Sequence, residues 1–164
     1  MQLQLGEISA LLTEHHLLKK QPVITAALQA IAGVAYDSRK STAGSLFFCK
    51  GNYKPAYLTA ARENGAVAYM AEHELTEGNG MAAFIVTNIQ KAMSLISAAF
   101  YGFPQNQLFI IAYTGTKGKT TSSYFTHDIL KTATANKTAL FSTIDRIVGP
   151  KPEQEFKSHL TTPE

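Results

Sequence analysis

The stretch "LFIIAYTGTKGKTTSSYF", Leu108 to Phe125, constrains the fold more than any other part of the chain. An apolar run passes through glycines and lysines directly into helical patterning. That order predicts a strand over Leu108–Thr114, a tight loop, and a helix from about Lys119 to Thr132. Backbone N–H groups and the positive end of the helix dipole then converge on one point, which suits an anion. Gly115 and Gly118 let the backbone wrap closely around phosphate oxygens, Lys119 offers a charge to the terminal phosphates, and Thr120 offers a hydroxyl to Mg²⁺. With Thr116, Lys117 and Thr121 they form a candidate nucleotide-phosphate-binding loop, in which Lys119 is also the candidate catalytic residue and Thr120 the candidate metal ligand.

The loop is shorter than the usual P-loop pattern G-x-x-x-x-G-K-[ST]. Tyr113 stands where the first glycine of that pattern would fall, which leaves G-x-x-G-K-T. A GTPase would carry Asn-Lys-x-Asp well downstream; the nearest approach is "NKTA", with Ala139 in place of the aspartate and too close to the loop, so guanine specificity is disfavoured. A small kinase usually opens with its P-loop, whereas a whole domain precedes this one.

In that preceding part, Ile8, Leu11, Leu12 and Leu18 recur at helical spacing and predict a helix from Ile8 to about Lys19. An extended segment, Ile31 to Tyr36, ends at the polar turn "DSRKSTAG", and "SLFFCKG" reads as a buried strand. "AYLTAARENG" reads as a short helix closed by Gly65, "AVAYMAE" and "MAAFIVT" as strands, and "NIQKAMSLISAAFYG" as an amphipathic helix. Such alternation defines an α/β domain. Gly102 and Pro104 in "YGFPQNQ" interrupt it, so the boundary is expected there, dividing the chain into 1–104 and 105–164. A single strand-helix-strand unit cannot bury both faces of a sheet, and the second domain is therefore expected to be truncated here.

Composition narrows the function classes. With 164 residues, 45% of them hydrophobic and 16% charged, the chain can build one full core and part of another. A net charge of +3, scattered along the chain, does not point to nucleic acid. The single cysteine, Cys49, lies in an apolar run and reads as a buried thiol. No apolar stretch has transmembrane length, and the N-terminus lacks the pattern of a signal peptide, so a cytoplasmic location without membrane insertion is expected.

"TGTKGKTT", preceded by "YDSRKSTAGSLFFCKG" and followed by "LTTPE", resembles the Mur ligases of bacterial cell-wall synthesis. The likeness covers essentially the whole chain and is strongest to the branch that adds the third residue of the peptide stem, in its lysine-adding form, through "GTKGKT" and "SHLTTPE". The resemblance implies an α/β fold with a small UDP-binding N-terminal domain, followed by the opening strand, P-loop and helix of a central ATPase domain. It implies ATP-dependent amide formation between UDP-MurNAc-L-Ala-D-Glu and L-lysine, with Mg²⁺. By position it assigns Tyr36 and Ser38, and more loosely Asn52, Tyr53 and Lys54, to the UDP moiety, and Thr161 and Thr162 to the muramoyl dipeptide. The further Mg²⁺ ligands, the carbamylated lysine and the amino-acid pocket that it also implies are expected beyond Glu164, so these residues alone are not expected to form a competent ligase.

Other readings stand beside these. "DSRKSTAG" also reads as a solvated turn, with Asp37 and Ser38 satisfying local N–H groups and Arg39 pairing either with a carboxylate or with ligand. The two threonines before Pro163 also read as an extended segment. His15 and His16 point in different directions on a helix and read as surface residues, and His127 with Asp128 as structural; His159 lies close to the substrate threonines. For the whole, a diaminopimelate-adding sibling, a folylpolyglutamate-synthetase-like enzyme and a non-catalytic UDP-sugar-binding module are the alternatives.

Overall fold

The computed structural model describes residues 2–22, 29–51, 53–149 and, in backbone only, 151–152. Asn52, His159, Thr161 and Thr162 lie outside the described residues. The chain divides into two compact units, Met1–Leu108 and Phe109–Glu164.

The first unit is built on a five-stranded sheet. Strands β4 (Gly33–Ala35), β5 (Ser45–Phe48), β6 (Ala68–Ala71) and β7 (Ala82–Val86) run parallel, and β2 (Leu18–Lys20) closes one edge antiparallel to β7. A separate short ladder pairs β1 (Leu3–Gln4) with β3 (Ala30–Ile31). The run "SLFF" is buried at every position because the sheet is covered on both faces. Leu46 and Phe48 join a cluster with Met70, Phe84 and the apolar stripes of α1 (Leu5–Glu14) and α3 (Ile89–Phe100). Phe47 and Cys49 point the other way, into a cluster with Tyr69, Ile85 and two residues of α2 (Pro55–Glu63), Leu58 and Ala61. Burying each large side chain of this kind contributes about 1.5–3 kcal/mol.

The first helix is shorter than its spacing predicts. It stops at Glu14, and Leu18, which the helical pattern included, belongs to strand β2 instead. The cause is a left-handed His16 at φ 55°. The His16 N–H bonds the Thr13 carbonyl at 3.0 Å and the Leu17 N–H bonds the Leu12 carbonyl at 2.7 Å, closing the helix and burying Leu17. The same pair of bonds ends α2 at Gly65 (φ 94°) and α3 at Gly102 (φ 74°). At its other end α3 is capped by Asn88, whose side chain accepts the Lys91 N–H at 2.9 Å.

In the second unit, helix α4 (Lys119–Ala133) follows the glycine loop, and β8 (Ala139–Phe141), β9 (Arg146–Val148) and β10 (Lys151–Pro152) form an antiparallel meander. The Ser142 hydroxyl holds the β8–β9 turn by accepting the N–H groups of Ile144 and Asp145 at 3.1 and 3.0 Å. The apolar segment 108–114 is not a paired strand here. The described strands of this unit pair among themselves, and without a ladder partner Leu108, Phe109, Ile110 and Ile111 remain exposed, Phe109 at 92%. Among the described residues no helix is long and apolar enough to cross a membrane.

Candidate functional site

In the second unit the loop from Gly115 to Thr121 folds as one piece around the start of α4. Gly115 (φ 141°) and Gly118 (φ 81°) both adopt backbone conformations that L side chains rarely enter, and Gly118 is the helix N-cap. A Cβ on Gly118 would meet nothing within 4 Å, so glycine is needed there for its torsion and not for space. Gly118 has no side chain to cap the helix, and the first intrahelical bond joins the Ser122 N–H to the Gly118 carbonyl at 2.9 Å. The N–H groups of the first turn, on Lys119, Thr120 and Thr121, are thereby left for an anion.

Lys119 folds back over this opening, its ammonium donating to the Gly115 carbonyl. The loop is tied down from both sides. The Tyr113 hydroxyl hydrogen-bonds that of Thr126 on α4, and the Ser123 hydroxyl donates to the Thr120 carbonyl at 2.7 Å. Unspent N–H groups, one ammonium and one threonine hydroxyl are the donor set that a phosphate chain with a divalent cation requires, so the residues fit both groups. Thr120 would hold the ion, which characteristically takes its other oxygens from phosphate and water. Among the described residues no three of His, Cys, Asp and Glu gather as a metal site. His127 is buried further down α4, its Nδ1 3.6 Å from Asp128 Oδ1, where it packs and does not reach the loop.

In the first unit the candidate residues follow the carboxyl ends of two neighbouring parallel strands, β4 and β5, the usual ligand-binding edge of an open α/β sheet. Tyr36, directly after β4, is 59% exposed, and Lys50, just beyond β5, holds its Nζ 4.8 Å above the ring centroid. Ser38 opens a 3₁₀ turn whose shape is fixed from outside, because Asn64 at the end of α2 donates to the Ser38 carbonyl at 2.9 Å. Arg39 pairs with Asp37 through two side-chain bonds of 2.9 and 2.7 Å, which answers whether its charge serves a carboxylate. Tyr53 packs against the α2-side cluster; its hydroxyl is buried with no hydrogen-bond partner among the described residues, and burial pushes its pKa up to about 12. Lys54 is the exposed N-cap residue of α2. Burial likewise raises the Cys49 thiol to about 12, as expected of an inert core cysteine.

The Asp37–Arg39 pair gives a pH signature. The side-chain hydrogen bond from Arg39 lowers the Asp37 carboxyl to about 2, below the ordinary aspartate value near ~3.9. Its contribution to stability is complete above the ordinary value and is lost as pH falls through the folded one. The wild type is expected to exceed Asp37→Asn by a small margin that holds from neutral pH to about 4 and shrinks towards pH 2. Urea midpoints for both proteins across that range test it, and a margin that widens on acidification would refute the assignment.

Three contributors were not singled out from the sequence. Lys50 could have been found by alternation, since it stands two residues past Phe48. Asn64 and Tyr113 act only through the folded chain, and their sequence context carries no comparable signal.

In the second unit a glycine-capped helix presents N–H groups, a lysine and a threonine, the arrangement of a P-loop, and in the first unit polar residues follow the strand ends of an α/β sheet. Over its full length the chain is 62% identical to a UDP-N-acetylmuramyl-tripeptide synthetase of Latilactobacillus sakei and 59% identical to one of Ligilactobacillus salivarius. A protein of the same name from Bifidobacterium longum is 45% identical. Among solved structures, a UDP-N-acetylmuramoyl-L-alanyl-D-glutamate–2,6-diaminopimelate ligase matches 93% of the chain with a TM-score of 0.69 at 25% identity. The chain belongs to the Mur ligase family. It spans about a third of the length of the curated relatives it matches, 32% for the two lactobacillar proteins, and 30% of the solved structure. No protein-family model matches it.

Proposed function

We propose that the chain supplies the uridine-nucleotide domain, residues 1–104, and the start of the ATP-binding domain, residues 105–164, of an ATP-dependent ligase. That enzyme joins L-lysine to UDP-MurNAc-L-Ala-D-Glu in the cytoplasm during peptidoglycan precursor synthesis. The observation that carries this reading is the bare N-terminus of α4 with Lys119 folded over it, in a chain whose full length matches proteins named tripeptide synthetase.

A carboxylate is a poor electrophile, so the substrate's D-glutamyl side-chain carboxylate takes the γ-phosphoryl group of ATP, releasing ADP, and the lysine α-amine then displaces phosphate from the resulting acyl phosphate to form the amide. The loop N–H groups and Lys119 hold and neutralise the transferring phosphoryl group, and the torsions of Gly115 and Gly118 allow that approach. Mg²⁺, when bound beside Thr120, supplies further charge neutralisation. Tyr36, Ser38, Asn52, Tyr53 and Lys54 take the UDP end, and Thr161 and Thr162 the muramoyl dipeptide.

The likeness of "GTKGKT" and "SHLTTPE" to the lysine-adding form favours lysine, whereas the solved structure is named for a diaminopimelate ligase, which keeps that acceptor as the second reading. The deciding assay is phosphate release from ATP by the protein expressed through its own stop codon. It is run with UDP-MurNAc-L-Ala-D-Glu and lysine, meso-diaminopimelate or no amino acid. Release that depends on lysine is expected. Dependence on diaminopimelate would transfer the assignment to the sibling, and no release under any condition would refute ligase activity.

A further inference from the structure

We propose that the hydroxyls of Tyr113 and Thr126 form a clasp that keeps the phosphate loop in its receiving shape, which makes Tyr113 a positioning residue for ATP. The proposal rests on the reading of this loop as the ATP site and adds to it a residue that acts through the loop and not on the nucleotide.

The placement follows from the helical period. Lys119 and Thr126 stand seven residues apart on α4, two turns along one face, with Ser123 between them. Both reach the arm that leads into the loop. The Lys119 ammonium meets the Gly115 carbonyl, and the Thr126 hydroxyl meets that of Tyr113, two residues earlier. The arm is thus pinned to the helix at two levels.

The two pins respond differently to a nucleotide. A phosphate competes with the Gly115 carbonyl for the ammonium and forms the stronger, charge-assisted bond, so the upper pin is released. The lower one joins two neutral hydroxyls, well beyond the first-turn N–H groups, and stays. It then holds an arm in which Gly115, at φ 141°, has little steric restraint of its own. Tyr113 also occupies the place of the first glycine in the longer P-loop pattern, where glycine would bring no side chain to make such a tie. Loop N–H groups that are already in place need not be ordered by the ligand, which strengthens binding without altering the chemical step.

Phosphate release by the protein expressed through its own stop codon tests this, with ATP varied at saturating UDP-MurNAc-L-Ala-D-Glu and amino acid. Tyr113→Phe is expected to raise the KM for ATP about fivefold and to leave kcat within about twofold, as the loss of one net hydrogen bond from a pre-ordered loop requires. Thr126→Val should do the same, whereas Thr126→Ser keeps the hydroxyl and should keep the wild-type KM. The double variant of Tyr113→Phe with Thr126→Val should be no worse than either single one. Additive effects in it would overturn the proposal, because the two hydroxyls would not be acting on each other. A fall in kcat at constant KM would also overturn it, since the bond would then serve the chemical step. An unchanged KM in Tyr113→Phe would remove the clasp and leave the ATP reading standing; with a lowered thermal midpoint it would show that the bond serves stability alone. Absence of ATP turnover in the wild type would remove the ATP reading and this inference together.

Discussion

Lys119→Ala is expected to lower amino-acid-dependent phosphate release by at least about 10³-fold, with UDP affinity unchanged. The reason is positional. Lys119 is the first residue of α4, its ammonium already lies across the loop onto the Gly115 carbonyl, and the helix N-terminus behind it has no side-chain cap. Removing the amine leaves the N–H groups but takes away the ammonium they act with on the transferring phosphoryl group. Lys119→Arg should recover little, because a planar guanidinium cannot occupy the position of a compact ammonium folded so tightly on its own loop. The UDP titration separates a local defect from a misfolded protein, since the residues proposed for UDP lie in the other unit. Turnover within tenfold of wild type would show that the loop does not serve phosphoryl transfer.

Gly65→Ala should strongly destabilise the first unit. Gly65 ends α2 at φ 94°, and an added Cβ would stand 2.8 Å from the Ala43 Cα and 3.2 Å from its nitrogen. Both atoms are backbone, held where the Gly44 N–H bonds the Gly65 carbonyl at 2.9 Å, so no side-chain rotation relieves the contact. Left-handed torsion costs about 1–2 kcal/mol and overpacking about 1–3 kcal/mol, together a large part of the ~5–15 kcal/mol that holds a domain folded. The thermal midpoint is expected to fall by about 10–25 °C. Ala43→Gly should not rescue it, because the obstructing atoms remain. A midpoint within about 2 °C of wild type would mean that Gly65 is not constrained as described.

The sequence carried most of the first unit because its signals are local. "SLFF", "AYMA" and "AAFIV" are buried on both faces and read as strands, and Gly65 and Gly102 marked the ends of α2 and α3. The end of α1 was hidden for the same reason in reverse: the left-handed residue is His16, which carries no glycine signal, and Leu18 continues the helical spacing by coincidence. Leu108–Thr114 reads as a strand from its apolar run, but a strand also needs a partner, and pairing depends on residues remote in the sequence. In the candidate site, the glycine loop was legible because torsion, charge and hydroxyl occur together in one short stretch. The support of Ser38 by Asn64 was not, since the two residues are far apart in sequence and meet only through α2.

The pairing of β2 with β7 joins Leu18 to Val86, and α1 packs against the same core cluster as α3. The stretch from α1 to β2 therefore cannot complete its packing until β7 and α3, later in the chain, have been made. The parallel strands β4, β5 and β6, joined by shorter connections, can assemble earlier. In the interval the apolar stripe of α1, Leu5, Ile8 and Leu12, remains uncovered on the nascent chain and is a natural point of attachment for a chaperone. For this stretch the order of synthesis and the order of folding run in opposite directions.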